Sequence, residues 1–329
     1  MKFAVLREEG DGERRVAATS ETVRKFVALG ASVAVEAGAG LSASIADKDY
    51  EQAGAEMGPR ESALRGADAV LAVQGPDPAG IDGLKPGALV VGILNPFGER
   101  ARVDSYAAAG VEALAMEFMP RITRAQSMDV LSSQSNLAGY KAVLDAAGEY
   151  GRALPMMMTA AGTIAAARVF VMGVGVAGLQ AIATARRLGA VVTATDVRPA
   201  TKEQVESLGA KFLAVEDEEF KNAQTAGGYA KEMSKEYQAK QAALTAEHVK
   251  KQDIVITTAL IPGRPAPKLV SAAMVKSMKP GSVLVDLAVE RGGNVEGAKP
   301  GEVVDLDGIK IVGYTNVAGR VAQDRKSVV

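Results

Sequence analysis

Residues 168–196, RVFVMGVGVAGLQAIATARRLGAVVTATD, decide the fold of this 329-residue chain. A strand-like apolar run leads into Gly173, Gly175 and Gly178, and a segment with apolar residues at helical spacing follows. A second apolar run then ends at Asp196. Strand, tight glycine turn, helix and second strand in this order predict a parallel βαβ unit.

The glycine spacing predicts a dinucleotide site at the first turn of this unit. Gly173 permits the tight turn, Gly175 lets the backbone approach a pyrophosphate, and Gly178 lets the helix pack on the strand. The helix N-terminus offers N–H groups to the phosphates. Asp196 can accept hydrogen bonds from the adenosine ribose and would repel a 2′-phosphate, which favours NAD(H) over NADP(H). Arg198 is evidence for NADP(H) instead, because an arginine at this position can pair with a 2′-phosphate.

Further strands at 253–257, 282–287 and 310–312 complete a doubly wound sheet. Their C-terminal ends carry TTALIPG and DLAVERGGN, where ligand-facing loops belong in this fold. Candidates for contacts on the nicotinamide side are Thr257, Thr258, Leu260, Asp286 and Glu290. Either threonine can equally be a strand-end residue that satisfies backbone groups.

The preceding part of the chain repeats the alternation of strands and helices. Apolar runs at 2–6, 32–35, 69–73, 88–93 and 114–116 alternate with helical stretches such as 20–29, which indicates a second parallel sheet. The fold class is therefore α/β, with two Rossmann-like doubly wound domains and a cleft between them. We place the domains at 1–125, to which 314–329 returns, and at 126–313, with a helix over 136–152 leading into the second.

Two polar segments interrupt the pattern. MPRITRAQSMDVLSSQSN is too polar for a core element and predicts a functional loop, although a solvated linker has the same composition. Residues 221–241 contain Gly227 and Gly228 in a polar setting. That composition predicts a mobile excursion able to close over a ligand, or else an ordinary surface loop and helix.

Composition excludes several classes of function. Lys and Arg (38) balance Asp and Glu (39) and are interspersed with them, so nothing indicates a nucleic-acid or anionic-membrane surface. The absence of cysteine excludes disulfides, thiolate metal sites and cysteine nucleophiles. The single histidine, His248, lies in the charged stretch EHVKKQD and is predicted to lie on a solvated helix face. No signal peptide or membrane span is evident, so we expect a soluble chain.

Stretches spread along the chain carry a family resemblance: ERRVAAT, PRITRAQSMDVLSSQSNLAGY, PMMMTAAGT, GVGVAGLQAIATARRLGA, TDVR, KEQVESLGAKF, GGYAKEM, TTALIPGRPAP and DLAVERGGN. Together they resemble domain I, the NAD(H)-binding component, of proton-translocating transhydrogenases, over residues 1–324. The loop RITRAQSMD is far more specific than the glycine motif.

This resemblance implies a Re/Si-specific NAD(P)⁺ transhydrogenase that is active only with partner subunits. NAD(H) is bound by this chain and NADP(H) by a partner component. Hydride passes directly between the nicotinamides, and a membrane-spanning component couples the transfer to proton translocation. The resemblance also implies a homodimer in the cytoplasm, peripheral at the inner face of the plasma membrane.

The same resemblance assigns the site residues. It implies that the catalytic loop contains Arg121, Gln126, Asp129 and Ser132, which hold the nicotinamide ring and its ribose. Gln126 would also reach toward the partner's nucleotide. The expected cofactor contacts are Gly173, Gly175, Val176, Gly178, Asp196, Val197, Arg198, Tyr229, Thr258 and Leu260, with Tyr229 in a mobile loop. No metal is expected, since hydride transfer needs only two rings held close together with water excluded.

Two alternatives remain. Alanine dehydrogenases look similar in their two-domain scaffold, and they use a lysine, a histidine and an aspartate around the substrate. Here Ala72 and Gln74 stand where the lysine is expected. Asn95 replaces the histidine, Glu290 replaces the aspartate, and only Arg15 matches, as a carboxylate anchor. A non-catalytic NAD(H) sensor also fits the glycine motif.

The C-terminus departs from the family pattern. The family continues after RVA with a helical segment that returns to the first domain, whereas this chain ends QDRKSVV. Residues 324–329 resemble the translation of a sequencing adaptor, so we expect the natural reading frame to continue. Packing of the first domain and dimerisation would then depend on the missing segment.

Overall fold

The computed structural model describes residues 1–120, 122–223, 233–261 and 263–322. The chain divides into two compact units. The first contains Met1–Gln134 and the segment that begins at Ala318, and the second is Ser135–Val317. The sequence had placed these boundaries after residues 125 and 313.

A six-stranded sheet forms the centre of the first unit. Its strands are β1 (Lys2–Val5), β2 (Ser32–Glu36), β3 (Glu56–Gly58), β4 (Ala69–Gln74), β5 (Leu89–Ile93) and β6 (Glu112–Ala115). The accompanying helices are α1 (Ser20–Ala28), α2 (Asp47–Gln52), α3 (Arg60–Leu64) and α4 (Arg100–Ala108). The strand order is β3-β2-β1-β4-β5-β6, and every neighbouring pair is parallel. The direction of winding therefore reverses between β1 and β4, where ligand sites form in doubly wound sheets.

The two faces of this sheet bury different residues because side chains alternate along a strand. Val5 and Val35 belong to the apolar cluster on one face. Their neighbours Ala4 and Ala34 belong to the cluster on the other. A sheet covered on both faces explains why its strands read as continuous apolar runs in the sequence.

Helix α5 (Val130–Glu149) begins in the first unit and continues into the second. The second unit then contains the strands β7 (Met157–Thr159), β8 (Gly162–Ile164), β9 (Arg168–Met172), β10 (Val191–Thr195), β11 (Lys211–Phe212), β12 (Ile254–Thr257), β13 (Val283–Asp286), β14 (Val303–Leu306) and β15 (Ile309–Val312). Its helices are α6 (Val176–Arg187), α7 (Thr201–Ser207), α8 (Glu218–Lys221), α9 (Lys235–Val249) and α10 (Ala272–Lys276).

The main sheet of the second unit has the order β11-β10-β9-β12-β13-β15-β14. Among its described strands, only β14 is antiparallel to its neighbour. Its winding reverses between β9 and β12, as it does between β1 and β4 in the first unit. The prediction of two Rossmann-like doubly wound domains is confirmed. In doubly wound sheets ligands bind at the loops that follow the C-terminal ends of the strands.

Some local predictions need correction. Helix α5 starts at Val130, six residues before the predicted start, because Asp129 caps it. The hairpin of β7 and β8 and the short strands β3, β11 and β14 were not predicted, since two to four residues show too little periodicity. Residues 224–232 of the segment predicted to be a mobile excursion lie outside the described residues. Within the described ranges, no helix is both long enough and apolar enough to cross a membrane.

Candidate functional site

The glycine turn after β9 has the backbone geometry that the motif predicts. Gly173 has φ +100°, in the region that favours glycine. Its N–H donates to the carbonyl of Thr195 at 2.9 Å, and its own carbonyl accepts from the Thr258 hydroxyl at 3.0 Å. A Cβ at this position would lie 2.6 Å from that hydroxyl oxygen. The turn is therefore held between the ends of β10 and β12, and a side chain would not fit.

The start of α6 leaves room for an anion. Gly175 precedes the helix with φ −81° and ψ −167°, and a Cβ there would meet no heavy atom within 4 Å. At Gly178 a Cβ would lie 2.9 Å from the carbonyl carbon of Gly173 and closer still to its oxygen. The first N–H groups of a helix have no acceptor within the helix. Open space beside them fits a pyrophosphate, so this part of the chain suits a dinucleotide.

Asp196 and Arg198 form a pair beside this turn. One carboxylate oxygen of Asp196 accepts from the backbone N–H of Val174 at 2.7 Å and from Nη2 of Arg198 at 2.9 Å. The other accepts from the backbone N–H and Nε of Arg198, at 2.9 and 2.8 Å. The bond to Asp196 raises the pKa of the Arg198 guanidinium.

This pairing changes the roles expected of Asp196 and Arg198. A carboxylate offers about four lone-pair positions, and all of those of Asp196 are in use. A ribose hydroxyl can therefore bond to Asp196 only by displacing one of these donors. Arg198, which the sequence marked as a partner for a 2′-phosphate, instead neutralises the carboxylate beside it. Geometry alone could show this, because the pairing depends on how Val174 approaches the end of β10.

Two of the predicted nicotinamide-side residues, Thr257 and Asp286, are buried and bond to groups of the protein itself. Thr257 has no exposed surface, and Asp286 is 1% exposed. Asp286 accepts from the backbone N–H groups of Ala288 and Val295, each at 2.9 Å. The Thr257 hydroxyl donates to the Val285 carbonyl at 3.4 Å and to Asp286 at 3.3 Å. This agrees with the alternative for Thr257, a strand-end residue that satisfies a backbone group.

Asn294 is a functional candidate that the sequence reasoning missed. Its side chain has no exposed surface and bonds to the backbone N–H and carbonyl of Ala259, at 3.0 and 2.9 Å, and to the carbonyl of Pro267 at 2.8 Å. It therefore fixes the loop after β12 to the loop after β13. The signal for it was weak, since one asparagine beside two glycines reads as an ordinary turn.

The remaining candidates in the second unit differ in their exposure. Thr258 is half-buried and holds the Gly173 carbonyl, whereas Leu260 is 52% exposed. Val176 and Val197 are also exposed, at 40% and 48%. Glu290 accepts from the backbone N–H of Asn316 at 3.1 Å. Tyr229 lies outside the described residues.

The polar loop before α5 leads into the cap of that helix. Residues Thr123–Met128 form a 3₁₀ helix in which Gln126 is exposed. Asp129 follows, and its carboxylate accepts from the N–H of Ser132 at 2.9 Å and from its hydroxyl at 2.6 Å. Asp129 and Ser132 are therefore brought together as a helix cap. Arg121 lies outside the described residues.

A buried polar cluster occupies the switch point of the first unit, between β1 and β4. Arg15 donates to both carboxylate oxygens of Glu13, at 2.8 and 2.6 Å, and to Gln134 at 2.8 Å. Its side chain is 5% exposed. Gln74 also donates to Glu13, at 3.3 Å. Arg15 is thus paired with Glu13 inside the protein.

Glu8 completes this cluster. Its carboxylate accepts from the backbone N–H groups of Val73 and Gln74, at 2.6 and 3.1 Å, where the pairing of β4 with β5 shifts register. Burial, with a smaller contribution from the charge of Glu13, raises the pKa of Glu8 to about 7. Asn95, at the position of the missing histidine, has φ +50° and donates its backbone N–H to Glu117 at 2.5 Å. Glu8 and Glu117 thus accept hydrogen bonds from backbone N–H groups of the first unit.

His248 lies in helix α9 as predicted, but the prediction that it faces solvent was wrong. Its ring is half-buried against Phe170, with ring centroids 4.8 Å apart, and its Nε2 lies 2.7 Å from the Thr193 hydroxyl. Burial lowers the pKa of the imidazole. Within the described ranges no group of acidic or histidine side chains is arranged to hold a metal ion. The histidine is a packing residue of α9.

Comparisons with known proteins give one family for nearly the whole chain. Residues 4–138 match the family described as "Alanine dehydrogenase/PNT, N-terminal domain", and residues 142–327 match its C-terminal domain. The chain is 57% identical to the first part of the NAD(P) transhydrogenase alpha subunit of Rhodospirillum rubrum, over 98% of this chain and 86% of that protein. It is 31% identical to an alanine dehydrogenase of Mycobacterium tuberculosis, over 91% of this chain and 76% of that protein.

A solved structure extends the comparison to the fold. The transhydrogenase from Sinorhizobium meliloti superposes with a TM-score of 0.90 at 60% identity, covering 98% of this chain and 88% of that one. Sequence and fold thus agree on the relatives of this protein.

Proposed function

The chain belongs to the alanine dehydrogenase/PNT family, and we propose that it is the NAD(H)-binding subunit of a proton-translocating transhydrogenase. One contrast supports the proposal. The switch point of the second unit is an open glycine turn beside a helix N-terminus, whereas that of the first unit is filled by the pair of Arg15 and Glu13. The chain therefore has a place for a dinucleotide and an internally neutralised anchor where an amino-acid substrate would bind.

The nucleotide-binding residues have distinct tasks in this proposal. The N–H groups at the start of α6 bind the pyrophosphate in the space beside Gly175. Asp196 accepts from the adenosine ribose after Arg198 yields part of its hydrogen bonding. The exposed side chains of Val176, Val197 and Leu260 offer apolar contact to the rings of the cofactor. Thr258 acts through Gly173, whose carbonyl it holds.

The loop before α5 orients the reacting ring. NADH, when bound, supplies the hydride that is transferred to NADP⁺ on a partner component. Arg121, Asp129 and Ser132 hold the ring and its ribose in place, and Gln126 faces outward toward the second nucleotide. An amide suits this role, because it can donate and accept without changing charge. The rate then depends on how closely the loop fixes the distance between the rings and excludes water.

Partner subunits follow from the same proposal. An NADP(H)-binding component and a membrane-spanning component complete the enzyme, and the chain lies in the cytoplasm against the inner face of the plasma membrane. A homodimer is proposed through the hairpin of β7 and β8. Its side chains are exposed throughout, including Met158 at 73% and Met157 and Ile164 at 46% each. Exposed apolar side chains on an isolated hairpin favour a protein contact.

The test uses the chain with an NADP(H)-binding component from a related transhydrogenase. NADH and NADPH are first titrated separately, and we expect NADH to bind more tightly. The mixture is then followed by stopped-flow absorbance, and we expect hydride transfer between bound nucleotides that neither protein supports alone. NADH binding without transfer would favour the sensor instead. Turnover of L-alanine with NAD⁺ would favour the dehydrogenase.

A further inference from the structure

A glycine outside the nucleotide motif lies against the start of α6. Gly139 is buried in the middle of α5, where glycine is unfavourable because it adds backbone freedom to the unfolded chain. Its φ is not positive, so no turn requires it. A Cβ there would lie 2.8 Å from the carbonyl carbon of Ala177 and 2.9 Å from its Cα, and closer still to the carbonyl oxygen. The two helix backbones therefore meet directly.

Ala177 is the second residue of α6, between Gly175 and Gly178. On its other side the same helical turn meets the strand, where a Cβ at Gly178 would lie 2.9 Å from the carbonyl carbon of Gly173. The first turn of α6 is thus enclosed by backbone on two sides. One turn further along, Asn136 donates its side-chain amide to Gln180 at 3.1 Å, which ties α5 to α6 again.

From this enclosure we infer that Gly139 is a positioning residue of the nucleotide site. The inference rests on the proposed function, because it concerns the N–H groups offered to the pyrophosphate. A methyl group at 139 would have to separate from the Ala177 carbonyl carbon until the distance grows from 2.8 Å to roughly 3.5 Å, the ordinary contact distance. Either α5 or α6 must shift to allow it, and any shift of α6 carries its first N–H groups with it.

Hydrogen bonds to a charged phosphate depend steeply on such displacements. The adenosine half of the cofactor is expected to contact Asp196 and the end of β10, whereas the three atoms nearest to a Cβ at Gly139 all belong to Ala177. A substitution at Gly139 should therefore weaken the binding only of ligands that carry the pyrophosphate. If Gly139 only maintained the fold, its substitution would weaken the binding of ligands with and without the pyrophosphate to the same extent.

The experiment compares Gly139→Ala with Gly148→Ala. Gly148 lies in the same helix, and a Cβ there would meet nothing within 4 Å. Dissociation constants are measured for NADH by its fluorescence and for ADP-ribose and adenosine by calorimetry, with thermal melts of each protein alone. For Gly139→Ala we expect NADH and ADP-ribose to bind about tenfold or more weakly, with adenosine changed by less than about twofold. Gly148→Ala should match the unmodified chain with every ligand.

Several results would overturn the inference. Equal losses for ADP-ribose and adenosine would assign Gly139 to the fold alone, and unchanged ADP-ribose binding would remove its role altogether. If Gly139→Ala does not fold, Asn136→Ala, which cuts the second tie to α6, should weaken ADP-ribose about threefold and spare adenosine. Unchanged binding by that variant would also contradict the inference. Failure of the unmodified chain to bind NADH would overturn the proposed function, and this inference with it.

Discussion

Replacing Asp196 by asparagine should damage both the stability of the second unit and its preference for NADH. The carboxylate accepts two hydrogen bonds from backbone N–H groups and two from the Arg198 guanidinium. An amide has one acceptor oxygen, so its NH₂ group would face donors. Bonds to an ionised group contribute about 1.5–3 kcal/mol each when buried. Arg198 is 32% exposed, so its two bonds are discounted toward the value of surface pairs.

We therefore expect Asp196→Asn to lower the free energy of unfolding by about 2 kcal/mol. For a unit of this size that corresponds to a fall in Tm of about 4–8 °C. NADH affinity should fall about tenfold, because a charged acceptor for the ribose is lost, while NADPH affinity changes little. The preference between the two nucleotides therefore narrows.

Thermal melts and fluorescence titrations with both nucleotides check these values. The matched control is Asp47→Asn in the first unit, where the carboxylate accepts from the Gly38 N–H, at 2.9 and 3.1 Å from its two oxygens. It should lower Tm and leave NADH affinity unchanged. The reasoning fails if Asp196→Asn has the Tm and affinity of the unmodified chain, or if both variants weaken NADH equally.

Four further predictions concern other parts of the molecule. Gly178→Val should lower Tm and abolish NADH binding, because the side chain would collide with the Gly173 carbonyl; a stable variant that binds NADH would contradict the role of the motif. Gln126→Asn should slow hydride transfer on the order of a hundredfold in stopped-flow, with NADH affinity nearly unchanged; a rate that falls only with affinity would refute it. The pKa of Glu8 is raised from 4.5 to about 7, so its contribution to stability is full below pH 4.5 and lost as pH rises through 7. Glu8→Gln should make that decline shallower, by up to about 1.4 kcal/mol per pH unit, and parallel denaturation curves would disprove it. Met158→Asp should shift sedimentation from dimer to monomer without lowering Tm of the monomer, and an unchanged dimer would exclude the hairpin as its interface.

Much of the fold was predictable because its determinants are local. The strand, turn and helix around Gly173 lie within one continuous stretch, and the apolar runs of both sheets are buried on both faces. The start of α5 was missed by six residues, since the cap at Asp129 lies in a polar segment that resembles a loop. His248 was misplaced for a similar reason. The charged residues next to His248 in the sequence indicated an exposed side chain, whereas in the folded chain its ring packs on Phe170.

The sequence by itself determined the two doubly wound domains, the dinucleotide motif and the family, because these depend on periodicity and on residues close together in the chain. Tertiary structure alone decided which polar groups remain open to a ligand. Arg15 bonds to Gln134, 119 positions away, Asp286 is engaged by backbone N–H groups, and Gly139 meets Ala177 across two helices. Each of these contacts depends on segments that only the folded chain brings together, and the availability of a polar group depends on all its neighbours in space.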